Sequence, residues 1–398
     1  MSLFPRPDYL KRLLKFRDKQ LIKVITGVRR CGKSTLLELL REHLRSEGVE
    51  DSQMIVINFE DFDAQPLTEP AVLHAFIKER LLPDKMNYIF LDEIQQVQDF
   101  PKVVDSLYLK KNVDIYLTGS NASLLSTDIA TLLTGRYVQL HLLPLSFNEF
   151  VAASDSKASL ALQYRRFLET SSFPFALQLD DAEAVQAYLE GLYNTILFKD
   201  VMGRNQIADG AILESLATFM LDSIGSEVSP SRVANTLTSR RSKTNVKTVD
   251  KYMSALVDSQ LFYEAKRYDI KGKKLLERIS KFYAVDMGLR RAILGRSAAN
   301  VGHILENVVY LDLLRRGFDV FVGKQGEFEV DFVARKPHET LYVQVAPTVR
   351  DEQTLERALR PLRIIKDNYP KIILTLDEDP VMDYDGILHT NALEWLVS

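Results

Sequence analysis

Residues Gly27 to Thr35 read Gly-Val-Arg-Arg-Cys-Gly-Lys-Ser-Thr, a G-x-x-x-x-G-K-S spacing. Glycines at both ends of the loop let the backbone turn tightly enough for successive N–H groups to face one anion. A helix starting there adds free N–H donors and a partial positive charge. On this chemistry Gly27, Val28, Arg29, Arg30, Cys31, Gly32, Lys33, Ser34 and Thr35 form a phosphate-binding loop. Lys33 would reach the β- and γ-phosphates of ATP, and the Ser34 hydroxyl would bind Mg²⁺.

Such a loop needs a strand before it and a helix after it. Leu21 to Thr26 is apolar and β-branched with Lys23 as its one charge, which suits a buried parallel strand. From Ser34 to Arg45, Leu36, Leu37, Leu39, Leu40 and Leu44 recur at helical spacing. A second constellation, Asn87 to Gln95, is a buried strand (Tyr88 to Leu91) ending in Asp92-Glu93. Asp92 would hold Mg²⁺, directly or through water, and Glu93 would orient or deprotonate the attacking water. A pair of acids capping the helix that starts near Pro101 would be the better reading if the pair stood alone. Behind a phosphate loop, hydrolysis is the better one.

Further elements lie between and after these motifs. Met54 to Phe59 reads as a strand between the two motifs, the order of the additional-strand class of P-loop NTPases, an α/β fold on a parallel sheet. Val113 to Leu117 is another strand, ending in Thr118-Gly119-Ser120-Asn121. Ser120 and Asn121 there could touch the γ-phosphate or the lytic water, or Asn121 could simply cap a helix. Arg136, just before the strand Tyr137 to Leu142, is the best-placed arginine to stabilise transition-state charge, in cis or from a neighbouring subunit. Arg29 and Arg30 are weaker candidates, and a surface ion pair is the plain alternative.

With 398 residues the chain needs two or three domains, and 46% hydrophobic with 26% charged residues is a globular composition. A net charge of −3 names no partner. One cysteine, Cys31, excludes internal disulfides and multi-cysteine zinc sites and suits a reducing cytoplasm. An alkylating reagent at Cys31 would block the loop. No apolar run reaches membrane-span length. Tyr9 to Arg17 reads as a short basic helix packed on the nucleotide-binding core, with membrane-surface binding as the alternative, and that core takes in residues 1–156.

Beyond the core the character changes. Residues 157–207 read as a helical lid containing the long helix Ala184 to Met202. Residues 208–285 hold helices over Ala211 to Ile224, Ser229 to Leu237 and Val249 to Ser259, then strands Leu261 to Lys266 and Lys281 to Val285, the order of a winged helix. From Arg232 to Lys281 there are thirteen Lys/Arg against five Asp/Glu. Arg240, Arg241, Lys243 and Lys247 are the candidate nucleic-acid contacts. A wing used for protein contacts is the alternative. Residues 286–398 read as a helix (Gly302 to Arg316), strands at Asp319 to Gly323, Phe328 to Ala334 and Leu341 to Val345, a helix over Glu352 to Tyr369, and a closing strand, Lys371 to Leu376.

The whole order, from about Pro7 onward, resembles a bacterial and archaeal family of AAA-type P-loop ATPases with a fused C-terminal domain of unknown function 4143. The residues that carry it are Gly27 to Leu36, Leu91 to Gln95, Thr118 to Ser120, Gly135-Arg136, Pro144-Leu145-Ser146, Lys199-Asp200, Tyr283 to Gly288, Leu305-Glu306-Asn307, Glu329 to Val333, Gln344-Val345 and Lys366 to Thr375. The resemblance implies ATP and Mg²⁺ binding. The last segment also resembles the restriction-endonuclease core, an α/β fold in which Glu306, Asp331 and Gln344 would correspond to metal-binding positions. Ala346 stands where that site carries its lysine, so the site reads as vestigial, with Glu329 as an extra carboxylate. Three functions compete: an ATP-driven switch acting on DNA or a protein partner, a DNA-binding regulator with ATP as structural ligand, and a metal-dependent nuclease. A homo-oligomer is compatible with all three.

Overall fold

The structure, a computed structural model, describes residues 4–120, 133–154, 157–239, 244–295 and 301–398. The chain divides into two compact units, Met1–Pro144 and Leu145–Ser398. Residues 145–156, expected in the nucleotide-binding core, thus fall in the second unit.

The first unit is built on five parallel strands: β1 (Ile22–Thr26), β2 (Met54–Asn58), β3 (Asn87–Asp92), β4 (Val113–Gly119) and β5 (Tyr137–His141). Their order across the sheet is β2-β3-β4-β1-β5. The phosphate-loop strand and the acid-bearing strand are therefore separated by β4, as the additional-strand order requires. β1, β3 and β4 are buried along their whole length, which is why their sequences run apolar without alternation. Helices α3 (Pro70–Arg80) and α4 (Phe100–Tyr108) pack Leu73, Ile77, Val104 and Leu107 against Ile89, Leu91, Ile115 and Leu117 of the sheet. This arrangement is a P-loop NTPase fold.

Helix α1 (Pro7–Leu14) turns Tyr9 and Leu13 inward, as its basic amphipathic sequence predicts. Helix α2 (Lys33–Ser46) starts directly from the glycine loop and buries Leu36, Leu37, Leu40 and Leu44.

Four helices open the second unit: α5 (Phe147–Ala153), α6 (Leu160–Thr170), α7 (Ala182–Asn194) and α8 (Gly210–Asp222). Ser146 and Glu149 close a capping box on α5. The long helix expected to reach Met202 changes at Thr195 into a π-helical stretch through Gly203, where Asp200 is buried and paired with Arg204 at 3.3 Å.

After α8 come β6 (Glu227–Val228), α9 (Pro230–Ser239), α10 (Val246–Asp258), β7 (Phe262–Asp269) and β8 (Lys274–Ala284). The second hairpin strand is longer than expected. Then follow α11 (Met287–Leu294), α12 (Val301–Arg315), β9 (Asp319–Gln325), β10 (Phe328–Lys336), β11 (Glu339–Val345), α13 (Glu352–Arg363), β12 (Lys371–Thr375), β13 (Met382–Asp383), β14 (Ile387–Asn391) and α14 (Ala392–Val397). Two expectations fail here. Helix α13 stops at Arg363, six residues short of Tyr369, and β12 does not close the sheet, because β14 pairs beside it in parallel. All nine strands, β6 to β14, form one sheet in the order β13-β14-β12-β11-β10-β9-β7-β8-β6. The junction between hairpin and later strands is the parallel pair β7–β9, with Arg267 opposite Val322.

Candidate nucleotide site and a buried ionic cluster

Parallel strands put their C-terminal ends on one edge of the sheet, and the loops leaving β1, β3 and β4 meet there. The loop after β1 is shaped by its glycines. A Cβ on Gly27 would stand 2.4 Å from the Leu142 carbonyl oxygen and 2.6 Å from Cys31 Sγ, so only glycine fits. Gly32 adopts φ +104°, the left-handed region, and hands the chain to α2. Behind the loop, the buried Arg6 guanidinium donates to the carbonyls of Cys31 (3.3 Å) and Leu143 (2.8 Å), tying the start of α1 to the loop. Cys31 is fully buried, and burial pushes its thiol up. Arg29 pairs with Glu60 at 2.8 Å.

Lys33 is buried and donates to the Gly27 carbonyl at 3.0 Å and the Val28 carbonyl at 3.4 Å. Its Nζ lies 3.3 Å from Glu93 Oε1. Glu93 follows the end of β3 in a left-handed conformation (φ +55°), which a non-glycine residue adopts at a cost of order 1–3 kcal/mol. That conformation turns the carboxylate toward Lys33. The Ser120 hydroxyl donates to Glu93 Oε2 at 3.0 Å, and the Gln95 side-chain amide donates to the same oxygen. Burial alone would raise the Glu93 carboxyl. Burial is the largest single influence, but the Lys33 ammonium, Gln95 and Ser120 together outweigh it and hold the group below its ordinary value. The Thr118 hydroxyl donates to Asp92 Oδ1 and accepts from the Glu93 backbone N–H at 2.9 Å, so β4 orders both acids. Ser34 is exposed at the first turn of α2. A cradle closed by a glycine that no Cβ can replace, with hydroxyl and carboxylate oxygens at its rim, fits a nucleotide phosphate chain and a hard divalent cation.

The structure therefore brings Lys33, Asp92, Glu93 and Ser120 to one edge. It does not bring Arg136 there. Arg136 precedes β5, and Tyr137 is level with Ile22 at the start of β1, so the side chain lies at the opposite edge of the sheet from the glycine loop. It pairs with Asp105 and lies over the Tyr108 ring. That placement sets Arg136 apart from the Lys33–Glu93 edge in this structure. Asn121, Arg240, Arg241 and Lys243 lie outside the described residues; Lys247 is exposed in the first turn of α10. Arg6, Gln95 and Thr118 are site residues that spacing did not single out. Gln95 and Thr118 gave a signal, Gln95 by standing two residues after Glu93 and Thr118 by ending the strand just before Ser120.

In the second unit, Glu306, Asp331 and Gln344 do come together. Asp331 lies opposite Gln344 on neighbouring strands, and Gln344 Oε1 accepts from the Asp331 N–H at 3.4 Å. A lysine from β8 joins them: Lys281 Nζ lies 3.0 Å from Glu306 Oε1 and 2.9 Å from Glu329 Oε1. The Tyr283 hydroxyl donates to Glu306 at 2.6 Å. Asn307, next on α12, donates to and accepts from the Ala284 backbone at 2.8 Å in each direction. Among the described residues no group of three His, Cys, Asp or Glu side chains is set to hold a metal ion.

Comparison with known proteins agrees with the fold of the first unit. Residues 19–151 match an AAA domain model, and residues 161–300 match a domain of unknown function, DUF8612. An uncharacterized protein of Haemophilus influenzae is 40% identical over 400 residues, covering 100% of this chain and 99% of its own length. An uncharacterized protein of Methanocaldococcus jannaschii is 30% identical over 381 residues, covering 90% and 82%. The solved Walker-type ATPase of Pyrococcus abyssi superposes with a TM-score of 0.51 at 13% identity, over 73% of this chain and 95% of that one. The chain belongs to one family with the Haemophilus and Methanocaldococcus proteins, and it carries an AAA-type P-loop domain over residues 19–151.

Proposed function

We propose that this protein binds ATP with Mg²⁺ at the glycine loop and hydrolyses it, the γ-phosphate state setting a conformational switch. The observation that carries the reading is the meeting of Lys33 and Glu93 at 3.3 Å, with Ser120 fixing the far oxygen of Glu93. The loop N–H groups and Lys33 bind the phosphates. Mg²⁺, held through Ser34 and Asp92, supplies charge neutralisation on the phosphate oxygens. Glu93, kept ionised by Lys33, accepts a proton from the attacking water.

The downstream division is part of the proposal: a helical segment over 157–207, a winged helix over 208–285 and a nuclease-like α/β segment over 286–398. The helix-strand-helix-helix-strand-strand run from α8 to β8 supports the winged helix. The basic excess from Arg232 to Lys281 supports contact with nucleic acid through it.

Steady-state ATP hydrolysis with and without duplex DNA tests both parts. Lys33→Ala is expected to abolish ATP binding. Glu93→Gln is expected to bind ATP and lose turnover by at least about a hundredfold. Turnover by Glu93→Gln at the wild-type rate would remove Glu93 from its role. Stimulation by DNA would tie the basic segment to the ATP site; turnover indifferent to DNA would move that segment to a protein partner. A DNA-binding regulator with ATP as a structural ligand is favoured instead if DNA affinity falls steeply with salt while hydrolysis stays negligible.

A further inference from the structure

The cluster around Lys281 stands apart from the ATP site and does not depend on it. Three carboxylates converge on it from α12 and β10: Glu306, Glu329 and Asp331. Glu306 and Asp331 are buried, and Glu329 is about a third exposed, so one side of the cluster opens to water. Where this constellation serves a divalent cation, carboxylate oxygens must approach the ion at about 2.0–2.6 Å. Here the ammonium of Lys281 occupies the point at which the two glutamates meet, donating to Glu306 at 3.0 Å and to Glu329 at 2.9 Å.

We propose that Lys281 is a built-in cation that closes a latent divalent-metal site formed by Glu306, Glu329 and Asp331. A lysine serving catalysis beside a metal leaves the carboxylate oxygens free for the ion. This one lies on the carboxylates themselves. It reaches them from β8, not from position 346 just past the end of β11, where Ala346 stands. Tyr283, also on β8, donates to the same oxygen of Glu306, so two of that oxygen's acceptor directions are filled from one strand. Asp331 Oδ2 is occupied by the Val345 N–H at 2.7 Å. Three acids facing one ammonium leave an excess of negative charge.

The test uses the full chain without nucleotide and Mn²⁺ alone as probe, followed by the paramagnetic signal of free Mn²⁺ and by thermal unfolding. The wild-type chain is expected to bind no more Mn²⁺ than Glu306→Gln. Lys281→Ala should take up one additional Mn²⁺ per chain and gain several degrees in Tm as Mn²⁺ rises to about ten times its Kd. Lys281→Ala/Glu306→Gln should lose both gains. Two results would overturn the proposal. One is wild-type Mn²⁺ uptake, or Mn²⁺-dependent plasmid cleavage, that Glu306→Gln removes. The other is a folded Lys281→Ala chain, by circular dichroism, that gains no Mn²⁺. If Lys281→Ala folds only with Mn²⁺ present, that rescue supports the proposal. If it folds under neither condition, Lys281→Gln, neutral and shorter, is judged by the same Mn²⁺ criterion.

Discussion

Gly27 shows how tightly single positions govern this site. Because a Cβ there would collide with backbone, the Leu142 carbonyl, and not only with the movable Cys31 sulfur, Gly27→Ala must displace the loop. We expect it to lose nucleotide affinity and to cost about 1–3 kcal/mol of stability, read by nucleotide titration and urea unfolding. Cys31 corrects an expectation drawn from its place in the loop. Its thiol is fully buried and pushed up by that burial, so iodoacetamide should label the native chain at a small fraction of the rate seen in urea, followed by mass spectrometry. The residues of the loop and the Asp92-Glu93 pair were legible in the sequence because their chemistry is local: spacing alone sets which N–H groups and carboxylates come together. Lys281 was not legible. It is 25 residues from Glu306 in the chain, and only the fold makes them neighbours.

At the scale of elements, β1 carries a charge in a strand that is otherwise apolar. Lys23 and Asp114, both about 1% exposed, form an ion pair between adjacent strands, and the Tyr116 hydroxyl and the Asp18 N–H donate to the other carboxylate oxygen at 2.9 Å each. Burial pushes the carboxyl up and the ammonium down, each against the pull of its partner. Breaking such a pair leaves a buried charge alone. Asp114→Ala should cost about 3–5 kcal/mol, whereas Lys23→Met with Asp114→Leu should cost much less, both read from denaturant midpoints. Arg136 teaches the complementary lesson. Its place before a strand was visible in the sequence, and in a parallel sheet a residue that precedes its strand lies at the edge away from the strand-end loops. That rule, applied to β5, would have removed Arg136 from the site. The missed strand β14 had no such rule to reveal it: Asp377 to Gly386 is acidic and broken by proline and glycine, and the five-residue strand after it is short.

For the molecule as a whole, stability should follow pH through the second unit. Asp331 sits near 8 in the folded chain against about 4 when unfolded, so between those values the folded state holds a proton that the unfolded state has lost. Stability therefore falls as pH rises from about 4 to about 8. Glu306, Glu329 and Lys281 face the same carboxyl and set the depth of the slope. Asp331→Asn should flatten it, measured as Tm against pH for the two chains. Motif order and length divide the chain into four segments, the first ending at 156, whereas the structure has two units that part after Pro144. The single sheet of the second unit was not readable in the sequence, because the partner of a strand lies outside any local pattern.

That sheet has a consequence for how the molecule opens. The backbone N–H of Ile270, just past β7, donates to the Lys324 carbonyl of β9 at 2.9 Å. The two strands lie more than fifty residues apart in the chain, yet neither can expose its amides to solvent without releasing the other. In deuterium exchange the hairpin and the later strands should share one slow rate and one denaturant sensitivity. A protease or a gene truncation that parts the chain near Val285 would leave two unpaired strand edges prone to aggregation, not two free-standing halves.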